Sequence, residues 1–420
     1  MSTKKAVSAV LAITTVLLAL VLGFRLADGV HALSPALPNL PQAGSGRVAE
    51  MALSRSYLTP AVVYVAGDAH IHEIALKGTW QDRDLTAAAG APVTASGSPR
   101  PMAYRRSDGV SMVVYRGADN HIHSLYLELV RQGNSWQEVW HWADLSAITG
   151  APNAATDPDG YVRSDGISTV VYTGSDGHIH DLRLEGSWIW ADLTAIAGAP
   201  TAAGRPIAYV RGDGINTVVY TDASAGHICE LRLDNGWKWA DLTDLASAPL
   251  PMSALAAYVR SDGISTINYT GYDGHIHDLR LETDWIWADL TDISRAPGTS
   301  YAPSGYVRSD GINAIVYAGA GMNAGRIYEL RLDNGWQYYE LTSVLNAVLG
   351  YGPVGYVRAD GISTVVYLGT DWHIQDIRLE TVWQWVDLTY LAGAPDAGSY
   401  PWPYNRSVVA RVYLPVVVRN

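Results

Sequence analysis

Ten of the twelve histidines fall in one short pattern on a strand-like segment: His70 and His72, His121 and His123, His178 and His180, His275 and His277, plus His227 and His373. Two imidazoles at i and i+2 project from one face of a strand and can share a zinc ion. The pattern does not keep that chemistry. Its second position becomes Cys229, Tyr328 and Gln375, Arg326 replaces its first, and no third ligand tracks with it. A position that accepts His, Cys, Tyr and Gln behaves as a packing site with a polar tip. The Gly-Ser-Asp-Gly turns before it lack the spaced oxygen ligands of a calcium loop. No metal or other cofactor is expected.

A second constellation is more uniform. An arginine closes the phrase Tyr-Val-Arg at Arg163, Arg211, Arg260, Arg308 and Arg358, with Arg55 and Arg106 in the first two copies. An acid follows the histidine pattern at Glu73, Asp181, Glu230, Asp278, Glu329 and Asp376, with Ser124 the exception. A tryptophan opens the next segment at Trp80, Trp188, Trp237, Trp285, Trp336 and Trp383, with Trp136 or Trp140 in the second copy. A planar guanidinium and a carboxylate hydrogen-bond ring hydroxyls, and an indole face stacks on the apolar CH face of a sugar. The alternative is structural: an ion pair tying strands together, with indole as filler. If the sites bind, arginine, acid and tryptophan of one copy are expected to meet and to stay partly exposed.

These residues recur because the chain is a repeat. Its clearest copy runs from Tyr161 to Pro200, and the tyrosine closing the apolar "VVY" run marks the register at Tyr64, Tyr115, Tyr172, Tyr220, Tyr269, Tyr317 and Tyr367. The intervals are 51, 57, 48, 49, 48 and 50 residues. Within a copy, Asp-Gly turns separate short alternating segments, which is the hairpin signal of an antiparallel meander. Strand a ends at Arg163, strand b is 168–173, strand c 178–184 and strand d 188–193. The connection to the next copy is expected to be an irregular Ala-Gly-Ala-Pro loop without helix. A period of this length with four strands indicates an all-β, seven-bladed β-propeller of four-stranded antiparallel blades. The first copy, 53–64, lacks the Ser-Asp-Gly turn and carries Pro60 at the start of strand b. Residues 404–413 echo strands a and b, so the tail is expected to pair with blade 1 and latch the ring. An eight-bladed ring with one incomplete blade is the alternative.

The chain has 420 residues, and the organisation expected is an export signal over 1–32, a Pro/Gly/Ser-rich linker over 33–48, the propeller over 49–395 and a closing strand or tail over 396–420. Lys4 and Lys5, the apolar run 6–24 and Val30-His31-Ala32 form the signal-like start. An uncleaved membrane anchor is the alternative reading of that run. After removal of the signal no membrane insertion is expected, and the localisation expected is secreted or at a bacterial cell surface. The single cysteine, Cys229, excludes an intrachain disulfide. A net charge of −12 with no basic run beyond residue 5 argues against nucleic acid as a partner. Fifteen Trp and 25 Tyr against one Phe show a preference for aromatics with a polar handle. An enzyme is not expected. A glycosidase needs two carboxylates in different environments, whereas the acids here repeat, including Asp84, Asp144, Asp192, Asp241, Asp289 and Asp387. Near-equal sites favour avidity over turnover.

The phrases "TVVYTGSDGHIHDLRL" and "WxWADLT" resemble bacterial propeller lectins related to the Photorhabdus lectin and, more distantly, the fungal fucose-specific lectins. The resemblance covers about 49–395. It implies glycan partners, with fucosylated or methylated sugars as candidates, and pockets made of an arginine, an acid and a Trp or Tyr. The acids match at Glu73, Asp181, Glu230, Asp278, Glu329 and Asp376, and the aromatics at Trp188, Trp237, Trp285, Trp336 and Trp383. The fungal arginine, at the start of strand b, is replaced here by Thr169, Thr217, Thr266 or Thr364. Arg163 and its counterparts lie beside that place across the a–b hairpin.

Overall fold

The computed structural model describes residues 48–97 and 99–417. The expected export signal and, apart from residue 48, the expected linker lie outside them, as does the side chain of Arg55. Seven four-stranded antiparallel sheets form the blades of a β-propeller. Blade 3 is typical, with strands Asp159–Val162, Ser168–Thr173, Ile179–Glu185 and Ser187–Asp192. Blade 1 is assembled from both ends of the repeat region. Its outer three strands are Val48–Val65, Ile71–Lys77 and Thr79–Asp84, and the tail strand Trp402–Val417 supplies position a by pairing along the whole first strand.

The tail also corrects the repeat count of arginines. Tyr404 and Arg406 occupy in blade 1 the places that Tyr161 and Arg163 hold in blade 3, so Arg406, not Arg55, is the first blade's arginine. Arg55 sits farther along the first strand, opposite Ala410. The long interval between Tyr115 and Tyr172 goes into one extended hairpin of blade 2, Ile122–Gln132 with Ser135–Asp144. Register there aligns Trp140 with Leu127, as Trp188 aligns with Leu184. Trp140, not Trp136, is therefore blade 2's counterpart.

The apolar cores lie between blades, not within them. One cluster joins Val171 and Ile179 of blade 3 to Val218, Tyr220 and Leu231 of blade 4; another joins Leu182 of blade 3 to Met112 and Val114 of blade 2. Alternation along strand c assigns each side chain to one neighbour. The tyrosine of "VVY" is buried in every blade, and its hydroxyl donates to a backbone carbonyl of the loop entering that blade, Pro152 for Tyr172 and Pro200 for Tyr220. A phenylalanine there would leave that carbonyl unpaired, which accounts for Tyr over Phe at these seven positions. Neighbouring blades are also stitched by polar contacts: the turn amides of Ser164 and Gly212 donate to Asn216 Oδ1 and Ser265 Oγ of the following blade at 2.8 and 2.9 Å.

The d–a connections differ from the irregular loops expected. Each opens with one turn of α-helix, such as Leu193–Ala197. A repeating aspartate caps six of the seven: Asp192 Oδ1 accepts from the Ala195 amide at 2.8 Å as an N-cap, whereas Glu340 in blade 6 opens its turn without a side-chain cap. Gly198, at φ 64°, ends the turn in the left-handed conformation that glycine adopts without strain. Thr194 Oγ1 accepts from the Ile179 amide at 2.8 Å and fastens the turn to strand c. A single turn adds no layer, and the propeller is intact.

Candidate functional site

Strand alternation decides which aromatic meets which acid. Asp181 lies on the same face of strand c as Ile179, and that face packs on blade 4. Trp188 stands opposite Leu184 and packs in the junction with blade 2. The grouping of Arg163, Asp181 and Trp188 as one set is thereby corrected. Arg163 and Asp181 face the junction that Trp237 of blade 4 enters. The same shift holds around the ring. Trp285 packs against blade 4, Trp336 against blade 5, Trp383 against blade 6 and Trp80 against blade 7. The Arg308 guanidinium lies 5.6 Å from the Trp383 ring and that of Arg358 lies 5.5 Å from Trp80, cation–π distances that span a blade boundary.

The junction between blades 4 and 5 is a cleft of about 470 Å³ lined by Arg211, Glu230 and Arg232 of blade 4 and by Thr283, Asp284 and Trp285 of blade 5. Leu245, on the helical turn after strand d, forms an apolar rim. Arg211 Nη1 donates to Glu230 Oε1 at 3.0 Å, and Arg232 Nη1 reaches Glu230 Oε2 at 3.3 Å. Two guanidiniums thus grip one buried carboxylate beside an indole. Blade 6 repeats this with Arg308, Arg331 and Glu329, to which Tyr306 also donates at 2.8 Å. The second arginine, two residues after the acid, was missed as a site residue. Its recurrence as Arg183, Arg232, Arg280, Arg331 and Arg378 was the available signal, because i and i+2 share a strand face.

Acid length divides the clefts. Glu230 and Glu329 reach the Tyr-Val-Arg arginine. Asp181, Asp278 and Asp376 are one methylene shorter; their nearest ion-pair partners are Arg183, Arg280 and Arg378, at 3.7, 3.6 and 3.6 Å. Both oxygens of Asp181 and of Asp376 are buried without a hydrogen-bond partner. Burial pushes the carboxyls of Asp181, Asp278 and Asp376 up to about 6, against the pull of those arginines. The arginines keep the Asp of their own turn, as Arg163 does Asp165 at 2.6 Å and Arg260 Asp262 at 2.5 Å, a contact that Arg211 and Arg308 make as well, in addition to their glutamates. Partial exposure, expected of all three residue types, fails for the acids, and also for Arg308, Arg358 and Arg406 and for Trp80, Trp140 and Trp285, which are buried. Strand c runs inside the sheet with another blade stacked on its acid-bearing face, leaving the Asp181 side chain 1% exposed and that of Arg163 11%.

The histidine positions form a second repeated set at the opposite end of the blades. His178 Nδ1 lies 2.7 Å from Asp192 Oδ2, and His227, His275 and His373 repeat the contact with Asp241, Asp289 and Asp387. Asp176, His178 and Asp192 together offer three atoms close enough for one metal ion, as do their counterparts, so acids do track with the first histidine, contrary to the expectation that no third ligand does. Asp176 comes from the preceding turn and Asp192 from the end of strand d. Blade 6 does not keep the set. Arg326 and Glu340 replace the pair and meet at 2.8 Å, so a cation on a carboxylate serves there without a metal.

No protein-family model matches the chain, and no curated protein matches it. Among solved structures it is similar to the lectin BP39L from Burkholderia pseudomallei, at 12% identity over 82% of this chain and 94% of that one, with a TM-score of 0.53. It is also similar to AofleA from Arthrobotrys oligospora, at 14% identity over 75% and 91% with a TM-score of 0.46. A complex of the Aleuria aurantia lectin with Fucα1-6GlcNAc aligns at 12% identity over 71% and 96%, with a TM-score of 0.45. The likeness to BP39L is one of fold, and its span takes in nearly all of that lectin.

Proposed function

We propose that this protein is a lectin that binds glycans in the clefts between blades, with several related weak sites and no catalysis. The carrying observation is the junction of blades 4 and 5: a cleft in which Arg211, Glu230 and Arg232 face Trp285 of the following blade. The buried Glu230 holds Arg211 and Arg232 in place, the two guanidiniums donate to sugar oxygens, and the indole edge and Leu245 border an apolar sugar face. Binding in place of turnover is supported by repetition: the acid recurs once per blade, Ser124 of blade 2 excepted. Its two settings in the open clefts, Glu gripped by two arginines and Asp short of one of them, lie in different clefts and not as a pair within one. Partners would be glycans, including fucosylated or methylated sugars, whose methyl group suits the apolar rim. Export to the cell exterior rests on the signal-like residues 1–32.

A glycan array at high protein density tests this reading. Glycan binding that survives loss of one cleft and declines as clefts are lost cumulatively supports it. A protein that binds no glycan while retaining its fold would be a scaffold for protein partners instead.

A further inference from the structure

The repeat also reveals where symmetry breaks, on the axis of the ring. At the start of strand a, two residues before the tyrosine, the blades place Trp402, Met102, Asp159, Ile207, Ala256, Ser304 and Val354 in order. Small residues on the side of blades 5 to 7 leave an axial cavity of about 340 Å³. Its opposite wall carries charge. Arg100, Asp159 and Arg205 line it with Trp402, while Tyr301 and Tyr400 add hydroxyls.

The charges do not balance within that wall. Arg205 Nη2 donates to Asp159 Oδ1 at 3.1 Å, and the Ala208 amide donates to Asp159 Oδ2 at 2.8 Å, so this carboxylate is satisfied. Asp157 takes the Arg100 backbone amide at 2.9 Å and lies 3.7 Å from Arg116 Nε. The Arg100 guanidinium has no carboxylate partner among the described residues: its Nε is buried and unpaired, and the group lies 5.3 Å over the Trp402 ring. Arg205 flanks the same ring at 5.7 Å. Arg100, Arg116 and Arg205 against Asp157 and Asp159 leave one positive charge over. A buried charge without a partner is costly unless a counter-charge arrives.

We propose that the axial cavity is a separate, single binding site for a carboxylate-bearing monosaccharide, with Arg100 as its charge partner. The carboxylate would take the free guanidinium nitrogens of Arg100, and the sugar ring would lie on Trp402 with Ser304 and the tyrosines in reach of its hydroxyls. The volume falls within the range of small-molecule sites. This site differs from the inter-blade clefts in number, position and charge, and stands whether or not those bind glycans.

The test is calorimetric titration of the purified chain with D-glucuronate and D-galacturonate, and with neutral D-glucose and D-galactose as controls. One molar equivalent of at least one acid is expected to bind, with its neutral counterpart at least about tenfold weaker, the factor a charge-assisted hydrogen bond supplies. Arg100→Gln should abolish that preference without lowering the melting temperature, because it removes an unpaired charge. Ala256→Leu, which fills the cavity and touches no charge, should abolish binding as well. Absence of binding by both acids, equal binding of acid and neutral sugar, or a preference that survives Arg100→Gln in a folded variant would overturn the proposal.

Discussion

The junction of blades 1 and 2 and the junction of blades 4 and 5 use the same arginine and acid to opposite ends. Between blades 4 and 5, Arg211 and Glu230 face a cleft. Between blades 1 and 2, Arg406 lies 3.1 Å from Glu73, as the grammar requires, but Glu138 of the extended blade 2 hairpin reaches across and accepts from Arg406 Nη1 at 3.0 Å. Lys77 closes on the same Glu138 at 2.6 Å, and the Arg406 side chain is 1% exposed. Glu138 is held low, at about 2: burial opposes ionisation, but Arg406 and Lys77 outweigh it. One inserted hairpin thus turns a cleft into a buried clasp at the point where the two ends of the chain close the ring. Occupation of the arginine by a protein carboxylate shows the kind of group these arginines accept.

Breaking the clasp should have the largest effect. Arg406→Ala leaves the buried Glu73 with Tyr404 and Glu138 with Lys77 but removes the one guanidinium that the two acids share, an expected loss of about 3–5 kcal/mol, read as a fall in the midpoint of chemical denaturation. Arg211→Gln should cost less, about 1–3 kcal/mol, because Glu230 keeps Arg232 at 3.3 Å. Its larger consequence should be the loss of one glycan equivalent in a titration. If both substitutions destabilise equally and neither affects glycan binding, the contrast between clasp and cleft is wrong.

Much of this was legible in advance, and the misses are physical. Asp-Gly turns and the tyrosine register carried the blades because each hairpin is local. The pairing of acid and tryptophan was misassigned because sequence proximity was followed within a blade, whereas the cores lie between blades. The signal was present: Leu184 opposite Trp188 places the indole on the face away from Asp181. Arg406 was obscured because its blade is assembled from distant segments, and the first strand already supplied a plausible Arg55. The helical turns were missed because the aspartate of "Asp-Leu-Thr" was read as a repeating acid and not as an N-cap. The axial charges escaped notice because they break the repeat one blade at a time.

Two smaller effects sharpen the contrast among the open clefts. Burial holds the carboxyls of Asp181, Asp278 and Asp376 up at about 6. The folded chain therefore takes up these protons at a higher pH than the unfolded chain, so each should add stability as the pH falls through 6, by at most about 1.4 kcal/mol per unit. Chemical denaturation of the parent and of Asp181→Asn at about pH 7.5 and about pH 5 measures it: the parent should gain on the variant upon acidification. A parent that loses ground instead would reverse the sign and mean that this acid is not held protonated by burial. Asp181→Glu should extend the carboxylate to Arg163, as Glu230 reaches Arg211, and gain about 1 kcal/mol; a loss of stability would mean that acid length is not what separates the two kinds of cleft.

The most direct test of a cleft shared across a blade boundary is a count of bound glycan per chain in double variants, by native mass spectrometry or calorimetry. Arg211→Gln and Trp285→Leu should each remove one site, and the two together should still remove only one, because they line the same cleft. Arg211→Gln with Trp237→Leu should remove two. A single site lost in the Trp237 combination and two in the Trp285 combination would contradict the account.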